Sequence, residues 1–577
     1  MSARAFRPWA LALATVIPLT LAYLIARPPS GDLAAATYRG EVFARAGFTL
    51  WDNGWYGGHY LPGYSVLAPA LGALLGERLL LGLSTIAAAC LFGAIAQRLF
   101  APGAARVAAV TFAVGACVTM LSGRVAFTLG LAVGLLAVLQ LARGRAAAAV
   151  ALAPLTSLAS PVAGAFLALV GVTDALAGRP RRGLALAAAA LAPIALFTLA
   201  FPEGGYEPFA PSVFWPGLAG VALIALALPR LDTALPTPTV RALTIGAWLY
   251  ALVLIGAFAL QTPVGSNAAR LGELFAAPLV AGVLWERCAR ADTEARSAGA
   301  AAARGGPGHP LLLLALAPVL LYWQLETPIN DFAALAGDPS VNASYYAPLL
   351  RELQRRARGA LLRVEVPLTG AHWESAYLPE HGSIMLARGW ERQLDTRYGA
   401  LFYEGGPLAE GSPSAEAGRH APAARIPVST SGAGAAAAYR AWLGENGVAY
   451  VALPDARLDF AGAAEGRLIA RGLPYLREVW RARHWRLYAV TGATALAQPP
   501  ARLLAVGVDS FTLAAPRSGS YTVRVRYTPY WALQRGSGCV RRAAGGWTVV
   551  QARGAGTMRV GIDFSPARIF DDGARCT

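Results

Sequence analysis

Long apolar stretches recur through the first 325 residues of this chain, and they constrain its fold more than any other feature. A helix that crosses a bilayer needs about 20 mostly apolar residues, within a range of roughly 17–25. We therefore expect an all-α polytopic bundle of about eleven membrane-spanning helices, with Ser160-Pro161 as a tight turn between two of them. The predicted spans are about 9–26, 78–98, 105–121, 125–142, 146–160, 162–178, 183–200, 213–229, 242–260, 271–286 and 310–325.

The composition agrees with a membrane protein of many spans. Of the 577 residues, 56% are hydrophobic and only 14% are charged, whereas a soluble globular chain carries about 25% charged residues. The net charge of +17 favours a nucleic-acid partner until the positions of the arginines are considered. The chain has no lysine, which excludes a Schiff-base lysine and a P-loop lysine from any mechanism.

The arginines concentrate at alternate ends of the predicted spans. With the N-terminus in the cytoplasm, the inner loops hold Arg98, Arg106, Arg143, Arg145, Arg179, Arg181, Arg182, Arg230, Arg241, Arg287, Arg290, Arg296 and Arg304. Apart from the first loop, the outer loops hold only Arg124 and Arg270. This positive-inside pattern accounts for much of the basic charge, so we expect no nucleic-acid partner. It predicts a multi-pass plasma-membrane protein whose first loop, 27–77, and whose part after about residue 326 are extracytoplasmic.

The first apolar stretch partly resembles a signal peptide. Arg4 and Arg7 precede the run from Trp9 to Ala26, but "LIARPP" is a poor cleavage site. Because many spans follow, we expect this helix to be retained. The apolar stretch 61–76 is too short to span the membrane, so we expect it to lie along the interface or to re-enter.

After a Gly/Ala-rich linker at 296–310 and the last span, the composition becomes that of a soluble protein at about residue 326. The segments "LLRVEVPL", "VAYVALP" and "WRLYAV" predict strands, and "AAAAYRAWLGENG" predicts a helix that ends at glycine. We expect a mixed α/β domain over 326–498. Short alternating strands such as "SYTVRVRYTPYW", "GWTVVQA" and "GTMRVGIDF" predict a small β-sandwich over 499–577.

The five cysteines separate into two groups. Cys90, Cys117 and Cys288 lie in or beside apolar stretches, where cysteine packs as a small apolar residue. Cys539 and Cys576 lie in the C-terminal polar part, where an extracytoplasmic location permits a disulfide between them. No CxxC or CxxH spacing predicts a metal site.

The first long loop offers two candidate catalytic carboxylates, Asp32 and Asp52. Asp32 stands just beyond the first span, and residues 34–48 have the spacing of a short interfacial helix. An N-cap of that helix is an equally good interpretation of Asp32, and the two roles are compatible.

An aromatic cluster surrounds Asp52 in this loop. Its members are Trp51, Trp55, Tyr56 and Tyr60, with His59 among them. Tryptophan and tyrosine at this depth are typical of the aromatic belt at the membrane interface. Clustering with Gly54, Gly57 and Gly58 favours the alternative of a stacking wall for a sugar or a lipid headgroup. For His59, a structural hydrogen-bonded histidine is the alternative to substrate binding.

Further outer loops also carry charged residues. One holds Arg124, one holds Glu203 and Glu207, and the segment "GSNAARLGELF" holds Asn267, Arg270 and Glu273. Arginine forms bidentate contacts with phosphate. Arg124 and Arg270 are therefore candidate phosphate ligands, with Asn267 and Glu273 beside them. Pairing of the arginines with headgroups or with Glu273 is the alternative.

In the soluble part, His372 and Glu374 stand in "TGAHWESAY", near the charged segment "ARGWERQLDTRY". We consider them candidates for acceptor binding over the outer mouth of the membrane part. The alternative is that this segment forms an ion-paired surface of the domain. Ion-paired surfaces are common, so we favour this alternative.

The layout resembles that of GT-C glycosyltransferases. The resemblance lies in a first span, a long outer loop with an early Asp32, an amphipathic stretch, and then "LPGYSVLAPALGALLGERLLLGLSTIAAACLFGAIAQRLF". It covers about residues 1–325, and the C-terminal mixed and β-rich region looks like the plan of the same superfamily. Members take a sugar from a polyprenyl-phosphate donor at the outer face, and an acidic residue of the first outer loop is typically catalytic.

What the resemblance implies is a simple transfer reaction. Asp32 would take a proton from the hydroxyl of a glycan or lipid acceptor. Arg124 and Arg270, or a bound divalent metal, would stabilise the phosphate of the leaving lipid. Trp51, Trp55 and His59 would shape the sugar pocket.

Two other functions remain open on the sequence alone. A non-catalytic membrane protein that assembles or presents an envelope polymer has the same layout and needs no base. A transporter is the third choice, because the spans lack interior acids and matching broken helices, and because a large outer domain fits a transporter poorly.

Overall fold

The computed structural model describes residues 7–230, 235–298, 308–380, 382–403 and 432–576. Most of the predicted 296–310 linker, with Arg304, lies outside the described residues. The described chain divides into two compact units. The helical unit comprises residues 1–36, 64–196 and 207–336, and the strand-rich unit comprises residues 37–63, 197–206 and 337–577. Most of the first long loop therefore belongs to the strand-rich unit.

Eighteen α-helices occur in the described residues. They are α1 Pro8–Ala26, α2 Asp32–Ala46, α3 Leu67–Leu75, α4 Glu77–Leu99, α5 Pro102–Thr119, α6 Val125–Ala142, α7 Ala146–Ala159, α8 Pro161–Leu176, α9 Pro180–Ala200, α10 Pro211–Ala227, α11 Thr237–Ala259, α12 Arg270–Ala298, α13 Gly308–Leu335, α14 Ala343–Ala357, α15 Glu374–Tyr377, α16 Arg392–Tyr398, α17 Gly432–Glu445 and α18 Phe460–Ala470. Short 3-10 turns include Met120–Ser122, Gly265–Ala269 and Pro566–Ile569.

Each of the eleven predicted spans is a helix, namely α1 and α4 to α13. Among the described residues, eight helical segments are long and apolar enough to cross a membrane. These segments lie at α1, α4, α5, α6, α9, α10, α11 and α12. Helices α7 and α8 are apolar but have only 14 and 16 residues. The chain is therefore a membrane protein by the length and composition of its helices.

One end of the helical unit is rich in arginine. Arg98 Nη1 donates to the carbonyl of Ala142 at 3.3 Å, which brings the last turn of α4 beside the end of α6. The backbone N–H of Ala101 donates to Glu286 Oε1 at 2.7 Å, which brings the start of α5 beside the later part of α12. We call this the arginine-rich end, after Arg98, Arg106, Arg143, Arg145, Arg287 and Arg290.

The strand-rich unit contains three larger sheets and a short hairpin. Its strands are β1 Trp51–Asp52, β2 His59–Tyr60, β3 Leu362–Glu365, β4 Ile384–Leu386, β5 Tyr450–Pro454, β6 Leu476–Arg481, β7 Trp485–Val490, β8 Arg502–Val506, β9 Ser510–Ala515, β10 Gly519–Arg526, β11 Trp531–Arg535, β12 Gly538–Arg542, β13 Trp547–Ala552, β14 Gly556–Ile562 and β15 Arg575–Cys576.

A five-stranded sheet in the order β4-β3-β5-β7-β6 forms the mixed domain, with β3 parallel to β4 and β5. Two antiparallel four-stranded sheets, β10-β13-β12-β15 and β11-β14-β9-β8, follow it. Inward residues such as Phe511, Leu513, Val523 and Val550 form a continuous core in this β-rich region. The C-terminal region is therefore rich in strands that form sheets, as the sequence predicts.

Candidate functional site

Charged side chains meet at several helix ends of the helical unit. They come from the first turn of α2, the start of α6, the first turn of α12 and the late turns of α13. We call this group the Asp32 cluster, and its members are Asp32, Arg124, Arg270, Glu273 and Asp331. The structure thus brings together four residues that the sequence singled out in separate loops, and adds Asp331.

Asp32 is the first residue of α2, where the helix dipole stabilises a carboxylate. Its Oδ2 lies 3.5 Å from Nε of Arg124, and its side chain is 31% exposed. The carboxylate is therefore held by an ion pair as well as by its place at the helix end. It also remains within reach of water and of a substrate.

A tight turn brings Arg124 to the start of α2. Gly123 has a left-handed φ of 75°, and a Cβ atom there would overlap Ser30 Oγ and lie 3.0 Å from the backbone N of Leu33. Ser30 Oγ donates to the carbonyl of Ser122 at 2.6 Å. Glycine allows both the backbone conformation and this close approach.

Arg124 faces three carboxylates and pairs closely with none of them. Its Nε lies 3.5 Å from Asp32, and its Nη1 lies 3.5 Å from Glu273. Its Nη2 lies 3.9 Å from Asp331. Charge-assisted N–H···O contacts are usually about 2.7–2.9 Å long, and the buried Nε has no hydrogen-bond partner among the described residues. A guanidinium held this loosely can exchange a carboxylate for another anion.

Ion pairs inside the strand-rich unit are shorter than the contacts of Arg124. Arg39 Nη2 lies 2.6 Å from Glu391. Arg388 donates to both oxygens of Asp395, at 2.7 and 2.8 Å. These distances are those of hydrogen-bonded structural pairs. The longer contacts of Arg124 therefore distinguish it from arginines that serve to hold the fold.

Arg270 is the second cation of the Asp32 cluster. Its guanidinium lies 5.1 Å from the ring centre of Phe127, within cation–π distance. It is close enough to Asp32 and Glu273 for electrostatic attraction. The aromatic contact uses the flat face of the guanidinium. Its N–H groups point within the guanidinium plane, where they can still donate to an anion.

Asp331 is the site residue that sequence reasoning missed. Its Oδ2 accepts a hydrogen bond from Ser122 Oγ at 2.6 Å, and its side chain is 43% exposed. The available signal was its place in "LETPIND", a few residues after the last predicted span and on the predicted side of Asp32. Glu273 differs, because it is almost fully buried and accepts from Thr327 Oγ1 at 3.4 Å.

The chemistry of the cluster follows from its charges. It holds three carboxylates and two guanidinium groups, so the carboxylates are in excess and one of them can accept a proton. The two arginines offer planar sets of N–H donors suited to phosphate. No group of three metal-ligating side chains is found in the described part of the chain, so we derive no step through a metal.

Asn267, which was expected near Arg270, lies in the 3-10 turn Gly265–Ala269 immediately before α12. Its backbone carbonyl accepts from the N–H of Arg270, and its own N–H donates to Val264. Through these backbone hydrogen bonds Asn267 helps to shape the start of α12, which carries Arg270 and Glu273.

The aromatic cluster departs from both interpretations of it. Trp51, Trp55 and Tyr56 are 2%, 0% and 0% exposed. Trp55 Nε1 donates to the carbonyl of Ser375 at 2.9 Å, and Tyr56 Oη donates to that of Gly389 at 2.8 Å. The rings therefore present no open face to a sugar or to the interface, and they bind the loop to the mixed domain.

The same loop is bound to the β-rich region. Asn53 Nδ2 donates to the carbonyl of Gly507 at 3.0 Å, and the ring centre of Trp51 lies 5.6 Å from that of Trp531. Positive φ angles at Gly57 and Gly58 fold the loop tightly enough for these contacts. The glycines thus serve a compact structural loop rather than a binding wall.

The roles predicted for Asp52 and His59 in the site are also wrong, because both side chains are fully buried. Tyr38 Oη donates to Asp52 Oδ2 at 2.8 Å, and His59 Nδ1 lies 3.8 Å from the same oxygen. Burial lowers the pKa of His59 in spite of the opposing effect of Asp52, and its ring stacks on Trp55 at 5.4 Å. Asp52 is therefore enclosed and is not an open general base.

His372 and Glu374 lie in the mixed domain and help to hold one of its loops. Glu374 is 1% exposed and accepts from Thr369 Oγ1 at 2.5 Å, so it is not available to an acceptor. His372 Nε2 lies 3.4 Å from Asp459. Burial lowers the pKa of His372, but its contacts with Asp459 and Glu374 outweigh burial and raise that pKa.

The charged segment "ARGWERQLDTRY" is only partly the ion-paired surface that was expected. Arg388 and Asp395 are 2% and 1% exposed and lie in the interior. Glu391, in contrast, is partly exposed beside Arg39. The segment therefore supplies internal ion pairs to the strand-rich unit.

Comparison of the chain with known proteins finds no matching family model. It also finds no significant match among curated proteins. The functional argument accordingly depends on the residues and on their geometry.

Proposed function

We propose that this chain is a membrane glycosyltransferase that moves a sugar from a polyprenyl-phosphate donor to a cell-envelope acceptor at the outer face of the membrane. The observation that carries the proposal is the Asp32 cluster. In it, the partly exposed carboxylate of Asp32 lies 3.5 Å from Arg124, whose ion pairs are all 3.5 Å or longer. A base beside a loosely held cation is what such a transfer needs.

The proposed step uses only residues of this cluster and the two substrates. The acceptor hydroxyl oxygen forms a bond to the anomeric carbon as its proton passes to Asp32. The bond from that carbon to the phosphate oxygen breaks, and the electron pair leaves with the polyprenyl phosphate. Arg124 and Arg270 stabilise the charge that grows on this phosphate.

The proposed orientation places the Asp32 cluster outside and the arginine-rich end in the cytoplasm. Arginine is enriched in cytoplasmic loops, and the arginines of the helical unit concentrate at the end where α4 and α6 finish. Cys539 and Cys576 form a disulfide in the strand-rich unit. Such bonds persist in oxidising compartments, which supports an extracytoplasmic strand-rich unit.

Substitution of Asp32 by asparagine tests the base directly. We expect Asp32→Asn to lower the transfer rate by at least about 100-fold, the usual contribution of a general base. The assay would use the full chain in lipid nanodiscs, a panel of undecaprenyl-phosphate hexoses and pentoses, and a membrane extract as acceptor. The release of undecaprenyl phosphate, the product common to every donor, would be measured.

Glu41→Gln is the matched control. Glu41 lies on the same helix α2, is half exposed and pairs with Arg45 at 3.6 Å, so its loss should leave the rate unchanged. Full activity of Asp32→Asn would exclude Asp32 as the base. Equal losses in both variants would point to damage to α2 instead.

The second candidate function is a non-catalytic protein that assembles or presents an envelope polymer. It is favoured by the burial of Trp51, Trp55 and Tyr56, which gives the first loop a structural role. It predicts that the wild-type chain releases no undecaprenyl phosphate from any donor in the panel. It also predicts that Asp32→Asn destabilises the helical unit by loss of its contact with Arg124.

A further inference from the structure

Two exposed phenylalanines stand on one loop of the β-rich region. Phe564 is 42% exposed and Phe570 is 85% exposed. They flank the 3-10 turn Pro566–Ile569, which lies between β14 and β15. An apolar ring of this exposure is costly in water. The loop is therefore a candidate surface for an apolar partner.

The loop is held in place by arginines. Arg568 Nε donates to the carbonyl of Pro529 at 3.1 Å, and its Nη2 donates to that of Gly573 at 2.6 Å. Beyond the loop, the Cys539–Cys576 disulfide fastens β15 to β12. Phe570 is thus displayed by a fixed loop rather than by a free chain end.

The charges of the loop are paired, which lowers the cost of bringing it to a membrane. Asp563 pairs with Arg575, and Asp571 lies 2.6 Å from Arg568. Asp572 lies 3.4 Å from Arg542. Each carboxylate therefore has a cation beside it, and the loop presents no net repulsion to anionic lipid headgroups.

The end of a candidate membrane span contacts this loop. Helix α9 is one of the eight span candidates and ends at Ala200, and the last turn of α9 belongs to the strand-rich unit. Tyr530 Oη donates to the carbonyl of Ala200 at 2.6 Å. The ring centre of Phe201 lies 5.9 Å from that of Phe564 and 5.8 Å from that of Tyr530.

These contacts lie at the end of a candidate membrane span. Leu184, Leu191 and Leu199 on α9 are 57%, 45% and 58% exposed, as expected of a face that meets lipid. The end of a span marks the boundary of the hydrocarbon region, where aromatic rings are enriched. A ring packed against Phe201 therefore lies at the level of the lipid headgroups.

We propose that the loop carrying Phe564 and Phe570 inserts its aromatic rings into the interfacial region of the leaflet at which α9 ends, and so anchors the β-rich region to the lipid surface. The partner is a phospholipid bilayer rather than a protein, because Phe564 packs against Phe201, the residue that directly follows the last turn of the candidate span α9. This inference requires that α9 crosses the membrane, and it does not depend on sugar transfer.

Site-directed spin labelling tests the proposal in the full chain. Phe570→Cys would be made in a chain with Cys90, Cys117 and Cys288 replaced by alanine and with the Cys539–Cys576 disulfide intact. The labelled chain would be placed in nanodiscs of phosphatidylcholine and phosphatidylglycerol. Collision with oxygen, which concentrates in lipid, would be compared with collision with a water-soluble nickel chelate.

The matched control is Ser518→Cys, since Ser518 is exposed in the turn between β9 and β10. We expect the label at 570 to collide with oxygen at least about five times more readily, relative to nickel, than the label at 518. Insertion of an interfacial segment reaches about 5–10 Å below the headgroup boundary. Before labelling, the free cysteine at 518 should also react with a membrane-impermeant maleimide on intact cells if the strand-rich unit is outside.

Two outcomes would overturn the proposal. Equal access of nickel to positions 570 and 518 would place Phe570 in water. Protection of position 570 from both reagents would show that a protein surface covers it instead of lipid. Neither result would alter the transfer assay with Asp32→Asn, so failure of this inference is distinguishable from failure of the proposed function.

Discussion

At the scale of single residues, Arg388 shows how the strand-rich unit handles buried charge. It lies 2.7 Å from Asp395, 3.1 Å from Glu465 and 3.6 Å from Glu365. All four side chains are at most 2% exposed. One guanidinium cannot neutralise three buried carboxylates, and unpaired buried charge is strongly unfavourable. At least one carboxylate must therefore hold a proton.

Glu365 is the carboxylate that keeps this proton. No donor hydrogen-bonds to either of its oxygens among the described residues. Burial and the neighbouring Glu465 raise the pKa of Glu365 well above its ordinary value. Burial also raises the pKa of Glu465, from 4.5 to about 7. The folded state thus binds protons that the unfolded state releases, so stability should fall as pH rises above about 4.5; the Glu465 contribution falls up to about 7, and that of Glu365 continues to higher pH.

Glu365→Gln should remove most of this pH dependence, because glutamine resembles the protonated acid. We expect amides of β3 and α18 to exchange more slowly in this variant than in the wild type at pD 8, and at a similar rate at pD 5.5. Hydrogen exchange of the full chain in nanodiscs, corrected for intrinsic rates, measures this. Faster exchange of Glu365→Gln at pD 8 would show that Glu365 is ionised and needed.

Asp395→Asn provides the contrast for this prediction. It removes the negative charge of Asp395 and one of the two oxygens that accept the short hydrogen bonds from Arg388. It should therefore speed exchange at both pD values. Breaking a buried ion pair lowers local stability by about 3–5 kcal/mol. The comparison separates the effect on stability of removing any buried carboxylate from the effect of removing Glu365, the carboxylate that Arg388 does not neutralise.

Single residues also show what the sequence alone could predict about the site. Asp32, Arg124, Arg270 and Glu273 are polar residues at the ends of apolar stretches, and that position made them visible. The burial of Asp52, His59 and Trp55 was not visible in the same way. It depends on partners such as Ser375, more than 300 residues away, which no local pattern reveals.

At the scale of elements, the turn between α5 and α6 positions the site. Gly123 allows Arg124 to approach the start of α2, and Ser30 and Ser122 fasten the turn there. The predicted spans end at 121 and begin again at 125, whereas α5 ends at Thr119, a 3-10 turn covers Met120–Ser122 and α6 begins at Val125. Its close contact with α2 was not predicted, because it depends on the absence of a Cβ atom rather than on hydropathy.

Gly123→Ala should displace Arg124 from Asp32. A Cβ atom there would overlap Ser30 Oγ, and a misplacement of about 1 Å can lower a rate by about 100-fold. We expect the release of undecaprenyl phosphate to fall by about 10- to 100-fold while the chain remains folded. The transfer assay described for Asp32 would measure this.

Gly144→Ala is the control for backbone strain. Gly144 has nearly the same φ, 77° against 75°, but nothing lies within 4 Å of its Cβ position. It should lose only about 1–2 kcal/mol of stability, the cost of a left-handed backbone for an L-residue, and keep its activity. Equal activity of the two alanine variants would show that the approach of Gly123 to α2 has no part in the reaction.

At the scale of the whole molecule, the chain combines a helical unit and a strand-rich unit that share the first long loop. Residues 1–36 of the N-terminal part belong to the helical unit, and residues 37–63 belong to the strand-rich unit. Hydropathy predicted the helices and alternation predicted the β-rich region. The division inside the loop was not predicted, because it is set by distant contacts such as that between Arg39 and Glu391.

The charges of the whole molecule follow the same division. Arginines in the loops of the helical unit concentrate at one end, whereas Arg39 and Arg388 form short internal pairs in the strand-rich unit. Arg124 belongs to neither group, since its contacts are 3.5 Å or longer. This difference is the reason to seek an anion at the Asp32 cluster.

The most direct test of that claim is the position of a bound lipid phosphate. A cryo-EM structure of the full chain in nanodiscs with undecaprenyl phosphate would locate it. We expect the phosphate at about 2.7–2.9 Å from N–H groups of Arg124 and Arg270, beside Asp32. A phosphate bound elsewhere, with Arg124 still facing its three carboxylates, would contradict the proposed site.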